Sequence, residues 1–197
     1  VCSSDLQQGW IRAAKGHEIQ GDTLSYRSGD HYFMQVRGRS NEPLVLLDST
    51  GRTYSTLAQN LPSARGQGEP LTKNFRPATG ASFMAVCMDH PEAQYLLASN
   101  AGYGFIVSFQ ELLSKNRSGK AVLKCPEGSQ PLPPQRLPDT LPPYVAAITN
   151  TGYLLVFPLH TVPTLHKGKG LKLIQLAKGT AKELPAHCCA LRALPQG

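Results

Sequence analysis

Three stretches of this 197-residue chain read alike: Leu44-Val-Leu-Leu-Asp-Ser-Thr-Gly51, Tyr95-Leu-Leu-Ala-Ser-Asn-Ala-Gly102 and Val145-Ala-Ala-Ile-Thr-Asn-Thr-Gly152. Each is an apolar run ending in a polar turn and a glycine, and the glycines follow one another at steps of 51 and 50 residues. A fixed period of that size marks a repeat architecture and takes precedence over any local reading. A second short run starts at each glycine: Arg52-Thr-Tyr54, Tyr103-Gly-Phe-Ile-Val107 and Tyr153-Leu-Leu-Val-Phe157. Two β-rich runs joined by such a turn predict a hairpin, because Asn and Gly tolerate the positive φ that tight turns demand. A weaker copy opens the chain at Gly9-Trp-Ile-Arg12.

Beyond each hairpin lies a basic, glycine-containing loop ending in an apolar residue. The copies are Ala14-Lys-Gly-His-Glu-Ile19, Arg65-Gly-Gln-Gly-Glu-Pro-Leu71, Asn116-Arg-Ser-Gly-Lys-Ala-Val122 and His166-Lys-Gly-Lys-Gly-Leu171, and Gly68, Gly119 and Gly170 are again 51 residues apart. Several short strands per period, with no long helical pattern, predict an all-β propeller of about four blade-like repeats rather than a solenoid. Val107 to Leu113 is the one stretch that reads as a short helix or turn. The proline-rich run from Pro126 to Pro143 would ordinarily suggest a linker. The period continues unbroken across it, so it is expected to connect strands of neighbouring blades.

Composition agrees. Eighteen Gly and 16 Pro are too many for a helical bundle. No apolar run approaches the roughly 18 residues of a membrane-spanning helix, and no secretory leader is visible at the start. Five cysteines, Cys2, Cys87, Cys125, Cys188 and Cys189, form neither a Cys-x-x-Cys pair nor a zinc-like pattern with histidine. They read as reduced structural thiols. Cys188 and Cys189 beside His187 would point to opposite faces of a strand, which argues against joint chelation. Val1 to Leu6 reads like a translated sequencing adapter. Residues 1–6 are therefore expected to be a non-native leader and 7–197 the domain itself, starting after the first strand of its opening blade and stopping inside a later one.

The charge is unevenly placed. Before Gly102 there are nine basic and nine acidic residues; after it there are eleven basic and four acidic, so the second half carries the whole net charge of +7. Lys115, Arg117, Lys120 and Lys124 share one acid-free stretch, and Lys167, Lys169, Lys172, Lys178 and Lys182 another. Lysines coat most soluble surfaces, but these runs recur at the same place in successive repeats. Equivalent loops of a propeller fall on equivalent parts of its rim, so the loops are expected to form a basic band. Lys, Arg and the N–H groups exposed at glycines would hold phosphates there without reading base sequence. The aromatics Trp10, Tyr54, Phe105 and Phe157 sit within strands, where packing explains them, rather than among the basic residues where single-stranded nucleic acid would need stacking platforms. Double-stranded DNA is the expected partner, bent if the band is curved.

Enzyme motifs are broken. Lys120 follows Gly119, but Ala121 and Ser114 spoil the phosphate-loop pattern on both sides. Gly102-Tyr-Gly104 lies in a hairpin with no helix after it, no Gly-x-Ser-x-Gly elbow exists, and the six histidines show no His-x-x-x-His spacing. The stretch itself is expected to carry no catalytic residue, metal site or cofactor.

Longer segments carry a family resemblance. Gly9-Trp-Ile-Arg-Ala-Ala-Lys-Gly-His-Glu18, Asp48-Ser-Thr-Gly-Arg-Thr-Tyr54, Leu61-Pro-Ser-Ala-Arg-Gly-Gln-Gly-Glu-Pro-Leu71, Ser99-Asn-Ala-Gly-Tyr-Gly-Phe105 and Lys167-Gly-Lys-Gly170 resemble the C-terminal domains of the bacterial DNA topoisomerase IV A-subunit family, from about Gly9 onward. The resemblance implies an open, broken β-propeller, or β-pinwheel, whose basic edge contacts and bends duplex DNA. It implies a bacterial, cytoplasmic, nucleoid-associated parent that decatenates and relaxes DNA for chromosome segregation. It further implies a homodimer of such chains within a heterotetramer that includes the topoisomerase IV B subunit, with ATP bound by that partner, and magnesium. The basic-loop residues Arg12, Lys15, Arg65, Lys73, Lys115, Arg117, Lys120, Lys167, Lys169 and Lys172 become the candidate DNA contacts. The related gyrase A domains carry a Gln-Arg-Arg-Gly-Gly-Lys-Gly heptapeptide. The nearest segments here, Ala64-Arg-Gly-Gln-Gly68 and Leu165-His-Lys-Gly-Lys-Gly170, lack its double arginine, which favours topoisomerase IV over a wrapping gyrase. A protein-binding propeller is the rival from another class.

Overall fold

The computed structural model describes residues 2–5, 9–16, 18–26, 28–29, 31–140, 144–176 and 188–194, with side chains described outside 2–5, 188–191 and 193–194. His17, Lys178, Lys182 and His187, and the side chains of Cys2, Cys188 and Cys189, thus lie outside the described residues. In chain order the first strands are β1 (Cys2–Asp5), β2 (Trp10–Ala13), β3 (Met34–Val36), β4 (Pro43–Asp48), β5 (Arg52–Leu57), β6 (Glu69–Pro70) and β7 (Phe83–Met88). There follow β8 (Gln94–Ala98), β9 (Tyr103–Ser108), the one-turn helix α1 (Phe109–Leu112), β10 (Lys120–Ala121) and β11 (Gln135–Arg136). The last strands are β12 (Tyr144–Thr149), β13 (Leu154–Pro158), β14 (Leu171–Lys172) and β15 (Cys188–Leu194).

Each predicted hairpin is present. β4 pairs with β5, β8 with β9 and β12 with β13, all antiparallel. Gly51, Gly102 and Gly152 close the turns with φ of 81°, 81° and 84°, and their N–H groups donate to Asp48, Ser99 and Thr149 carbonyls. The first turn is further tied by the Asp48 carboxylate. Its Oδ1 accepts from the Thr50 and Arg52 N–H groups at 2.9 and 3.0 Å and from the Thr50 hydroxyl at 2.6 Å, and Oδ2 accepts from the Tyr54 hydroxyl at 2.7 Å. A fully buried carboxylate is tolerable only when its oxygens are satisfied in this way. Burial, followed by the neighbouring Asp48, pushes the Tyr54 phenol well above its ordinary range. At the equivalent place in the next hairpin stands Ser99, whose buried hydroxyl has no partner among the described residues, whereas Thr149 in the third accepts from the Tyr153 N–H at 3.0 Å.

Among the described residues the hairpins lie in four sheets, ordered β3-β1-β2-β6, β10-β5-β4-β7, β11-β8-β9-β14 and β13-β12-β15, and in the first three the hairpin is the central pair. The topology corrects two sequence expectations. The opening blade does have its first strand: Cys2–Asp5 pairs with β2 from Cys2↔Ala13 to Asp5↔Trp10. A ladder is made by main-chain groups, so a polar Cys-Ser-Ser-Asp run can fill it. The proline-rich run is more than a connection, since β11 lies within it and pairs with β8.

A further feature escaped the sequence. The short strands β6, β10 and β14, which carry the basic loops, do not extend the hairpin just before them. They return to the preceding one, so β6 pairs with β2, β10 with β5 and β14 with β9. Pro70 in β6 occupies an edge, where its missing N–H costs no ladder bond.

The described chain forms two compact units, residues 1–90 with 112–120, and residues 91–111 with 121–197. The first is built round Ile11, Leu44, Leu46, Tyr54, Leu71, Phe75 and Phe83, with the Tyr54 ring 5.4 Å from both Phe75 and Phe83. The second is built round Leu96, Ile106, Leu137, Val145, Ala147 and Leu173. Phe105 and Tyr54 are fully buried, but Trp10 and Phe157 are only half-buried. Neither Cys87 nor Cys125 is in a disulfide, and burial pushes the Cys87 thiol up to about 12. No helix among the described residues is long and apolar enough to cross a membrane.

Candidate nucleic-acid interface

The basic loops are pinned where they meet a hairpin, and a left-handed glycine makes each approach possible. A Cβ at Gly68 would lie 2.8 Å from the Ile11 carbonyl oxygen, at Gly119 2.7 Å from the Tyr54 ring and at Gly170 2.2 Å from the Gly104 carbonyl oxygen. Only a residue without a side chain lets two backbones come this close. In the first unit Arg52 locks the junction, with Nε donating to the Ser118 carbonyl at 2.9 Å and an Nη2 hydrogen to that of Gly119 at 3.0 Å.

The candidate residues then divide. Arg12 is not on the surface. It is 5% exposed, donates to the Gly66 and Ser25 carbonyls at 3.3 and 2.9 Å, and lies 4.6 Å from the centre of the Tyr26 ring. A guanidinium so enclosed is a strut between loops, because its position on β2 turns it inward. In the same unit Lys15, Arg65, Lys73, Lys115 and Arg117 are exposed and Lys120 half-buried. Lys73 sits 2.8 Å from Glu69, an exposed pair that contributes little to stability and offsets one positive charge. Arg117 donates from Nε to the Asn74 carbonyl at 2.8 Å and from Nη2 to that of Lys73 at 2.6 Å, which brings three candidates, Lys73, Lys115 and Arg117, to one end of the unit. Lys15 lines a separate hollow with Arg39 and Gln59.

In the second unit Lys167, Lys169 and Lys172 are all exposed. The Lys169 and Lys172 ammonium groups lie 4.1 and 5.6 Å from the centre of one ring, Tyr103. Cation–π attraction holds the two like charges together while leaving them open to solvent. The acid of this neighbourhood, Glu111, engages His166, with Oε1 3.2 Å from Nδ1. Sequence reasoning missed Arg52 and Tyr103. Both directly follow a turn glycine, as Trp10 and Tyr153 do, so aligning the repeats at that glycine would have exposed the position. Among the described residues no group of three or more His, Cys, Asp or Glu is placed to hold a metal ion.

Four sheets, each carrying a hairpin, with basic loops between them, are the architecture of a class, the β-propeller C-terminal domains of the DNA gyrase type. The family model described as DNA gyrase C-terminal domain, beta-propeller, matches residues 94–128 and 143–182. The solved structure of the E. coli ParC C-terminal domain is 42% identical over 96% of this chain and 77% of that one, with a TM-score of 0.89. The chain belongs to the family of ParC C-terminal domains, ParC being the A chain of DNA topoisomerase IV. The corresponding DNA topoisomerase 4 chain of Pseudomonas aeruginosa is 44% identical over 97% of this chain, and that of Escherichia coli 42% over 96%. The chain spans about a quarter of the length of these relatives. A gyrase A C-terminal domain structure, 11% identical with a TM-score of 0.64 over 95% of this chain and 62% of that one, shares the fold.

Proposed function

We infer that the chain is a non-catalytic DNA-binding and DNA-bending domain of a ParC protein. The parent would be an ATP-dependent type II topoisomerase that decatenates and relaxes chromosomal DNA in the cytoplasm, at the nucleoid. ParC would work as a homodimer joined to the topoisomerase IV B subunit in a heterotetramer, ATP being bound by that partner. The role of this stretch is to hold a duplex by its phosphates and so direct which segment the enzyme captures.

The observation that carries this reading is the lysine cluster on Tyr103. Lys169 and Lys172 share one ring, beside the exposed Lys167. Neighbouring ammonium groups that repel one another gain from a polyanion, whose condensed counterions they displace. Reversing Lys167, Lys169 and Lys172 to Glu is expected to weaken duplex binding and to flatten the slope of log affinity against log salt by about three. Fluorescence anisotropy at several salt concentrations measures this, with circular dichroism confirming the fold. Unchanged affinity would overturn the loop assignment, and salt-insensitive behaviour of the unaltered domain would favour the protein-binding rival.

A further inference from the structure

Beside the basic loop of the first unit lies an open cavity of about 360 Å³. It is bounded by the end of β5, by Asn60 and Asn74, by the Phe75 ring and by the loop residues Lys115 to Arg117. The space has room for several waters. It is more than a bare ion fills. The lining contains two hydroxyls, three carboxamides, an ammonium and a guanidinium, and no acid.

The donors are available. Among the described residues no side-chain hydrogen bond engages the carboxamides of Asn60, Asn74 or Asn116; the bonds of Asn74 and Asn116 run through their main chains. Ser55 Oγ accepts from the Ser114 N–H at 2.9 Å, which leaves its own hydroxyl hydrogen to donate. Arg117 is the decisive group. Its Nε and one Nη2 hydrogen are spent on the Asn74 and Lys73 carbonyls. A guanidinium has five N–H donors, so the edge formed by one hydrogen from each Nη stays open. That edge is held rigid by the other two bonds. A fork fixed in this way suits an oxyanion taken by two parallel N–H···O bonds, a geometry that phosphate shares with carboxylate, and the neighbouring ammonium favours the more highly charged of the two. A metal cation is disfavoured by the two positive side chains.

We propose that this cavity is a phosphate-oxyanion seat, in which the end edge of Arg117 and the Lys115 ammonium take the charge while Asn60, Asn74 and Ser55 supply neutral donors. The oxyanion is either a phosphodiester of the bound duplex or free inorganic phosphate. In the first case the proposal rests on the DNA-binding reading and gives it an anchor point. An occupant would tie together β5, the turn at Asn74 and the loop 115–117, which arrive from three separate parts of the chain.

Two measurements on the 197-residue chain test this. First, inorganic phosphate is titrated while the side-chain amide signals of Asn60, Asn74 and Asn116 are followed by NMR. Second, duplex affinity is measured against salt for the unaltered chain, for Thr56→Glu, which puts a carboxylate on the cavity wall, and for Asn60→Asp, which adds charge on an exposed turn without changing size. Phosphate-dependent shifts that both variants abolish are expected. If the duplex is the source, both variants also weaken duplex binding severalfold and lower the salt slope by about one. Lost phosphate shifts with unaltered duplex binding assign the seat to free phosphate. No shift in any of the three amides, with duplex binding intact in both variants, overturns the seat and leaves the DNA reading standing. If the unaltered chain binds no duplex while the shifts persist, the seat stands for free phosphate and the DNA reading fails.

Discussion

A methyl group at Gly170 would fall 2.2 Å from the Gly104 carbonyl oxygen on a backbone with φ of 81°. At Gly152, with φ of 84°, nothing lies within 4 Å. The two positions separate backbone strain from collision. Gly152→Ala is expected to cost about 1 kcal/mol, the left-handed penalty alone, and Gly170→Ala about 3 kcal/mol or more, because β14 must also move. Urea unfolding of both variants measures the difference. Cys87 supplies a pH dependence. Its thiol goes from an ordinary 9.0 to about 12 in the folded chain, through burial and then through Asp89. The stability it contributes is therefore complete below about pH 9 and lost as pH rises toward 12, since the unfolded chain releases the proton first. A urea midpoint that falls across that window in the unaltered chain, and less in Cys87→Ala, is the expected result. At this scale the sequence showed residue types but not their direction. Arg12 and Arg65 both look like members of a basic loop, yet one is enclosed by carbonyls and the other faces solvent.

Among elements, the hairpins were legible because two signals coincide in them, an apolar run and a glycine at the turn. The return of β6, β10 and β14 to the preceding hairpin was not. Each is two residues long, too short for any alternation to register, and a period of 51 residues is satisfied equally well by pairing forward or backward. The candidate site was legible only as charge; what Tyr103 and Arg52 do depends on that pairing. Leu171→Pro tests it directly, because proline removes a donor and distorts the strand opposite Gly104. Amide exchange at Tyr103 and Gly104 should speed up by at least tenfold, while that of the β4–β5 ladder stays as it was. Faster exchange in β12 and β13 instead would place β14 on the other hairpin.

For the whole molecule, the two units have separate cores. Leu96→Ala, which empties a position 1% exposed, is expected to cost about 2–5 kcal/mol. Native-state hydrogen exchange should show that cost in the sheets of β8 and β12, with the protection of Leu46 and Val86 little changed. An equal loss in both units would show that they open together.

The backward pairing also bears on how such an array can gain or lose members. Excising one fifty-residue period removes a hairpin together with the lid of its predecessor, and the stretch left behind must cap a surface it was never shaped for. Inserting a period creates the mirror problem. Change in copy number thus requires two compatible seams at once, whereas growth of a surface turn requires none.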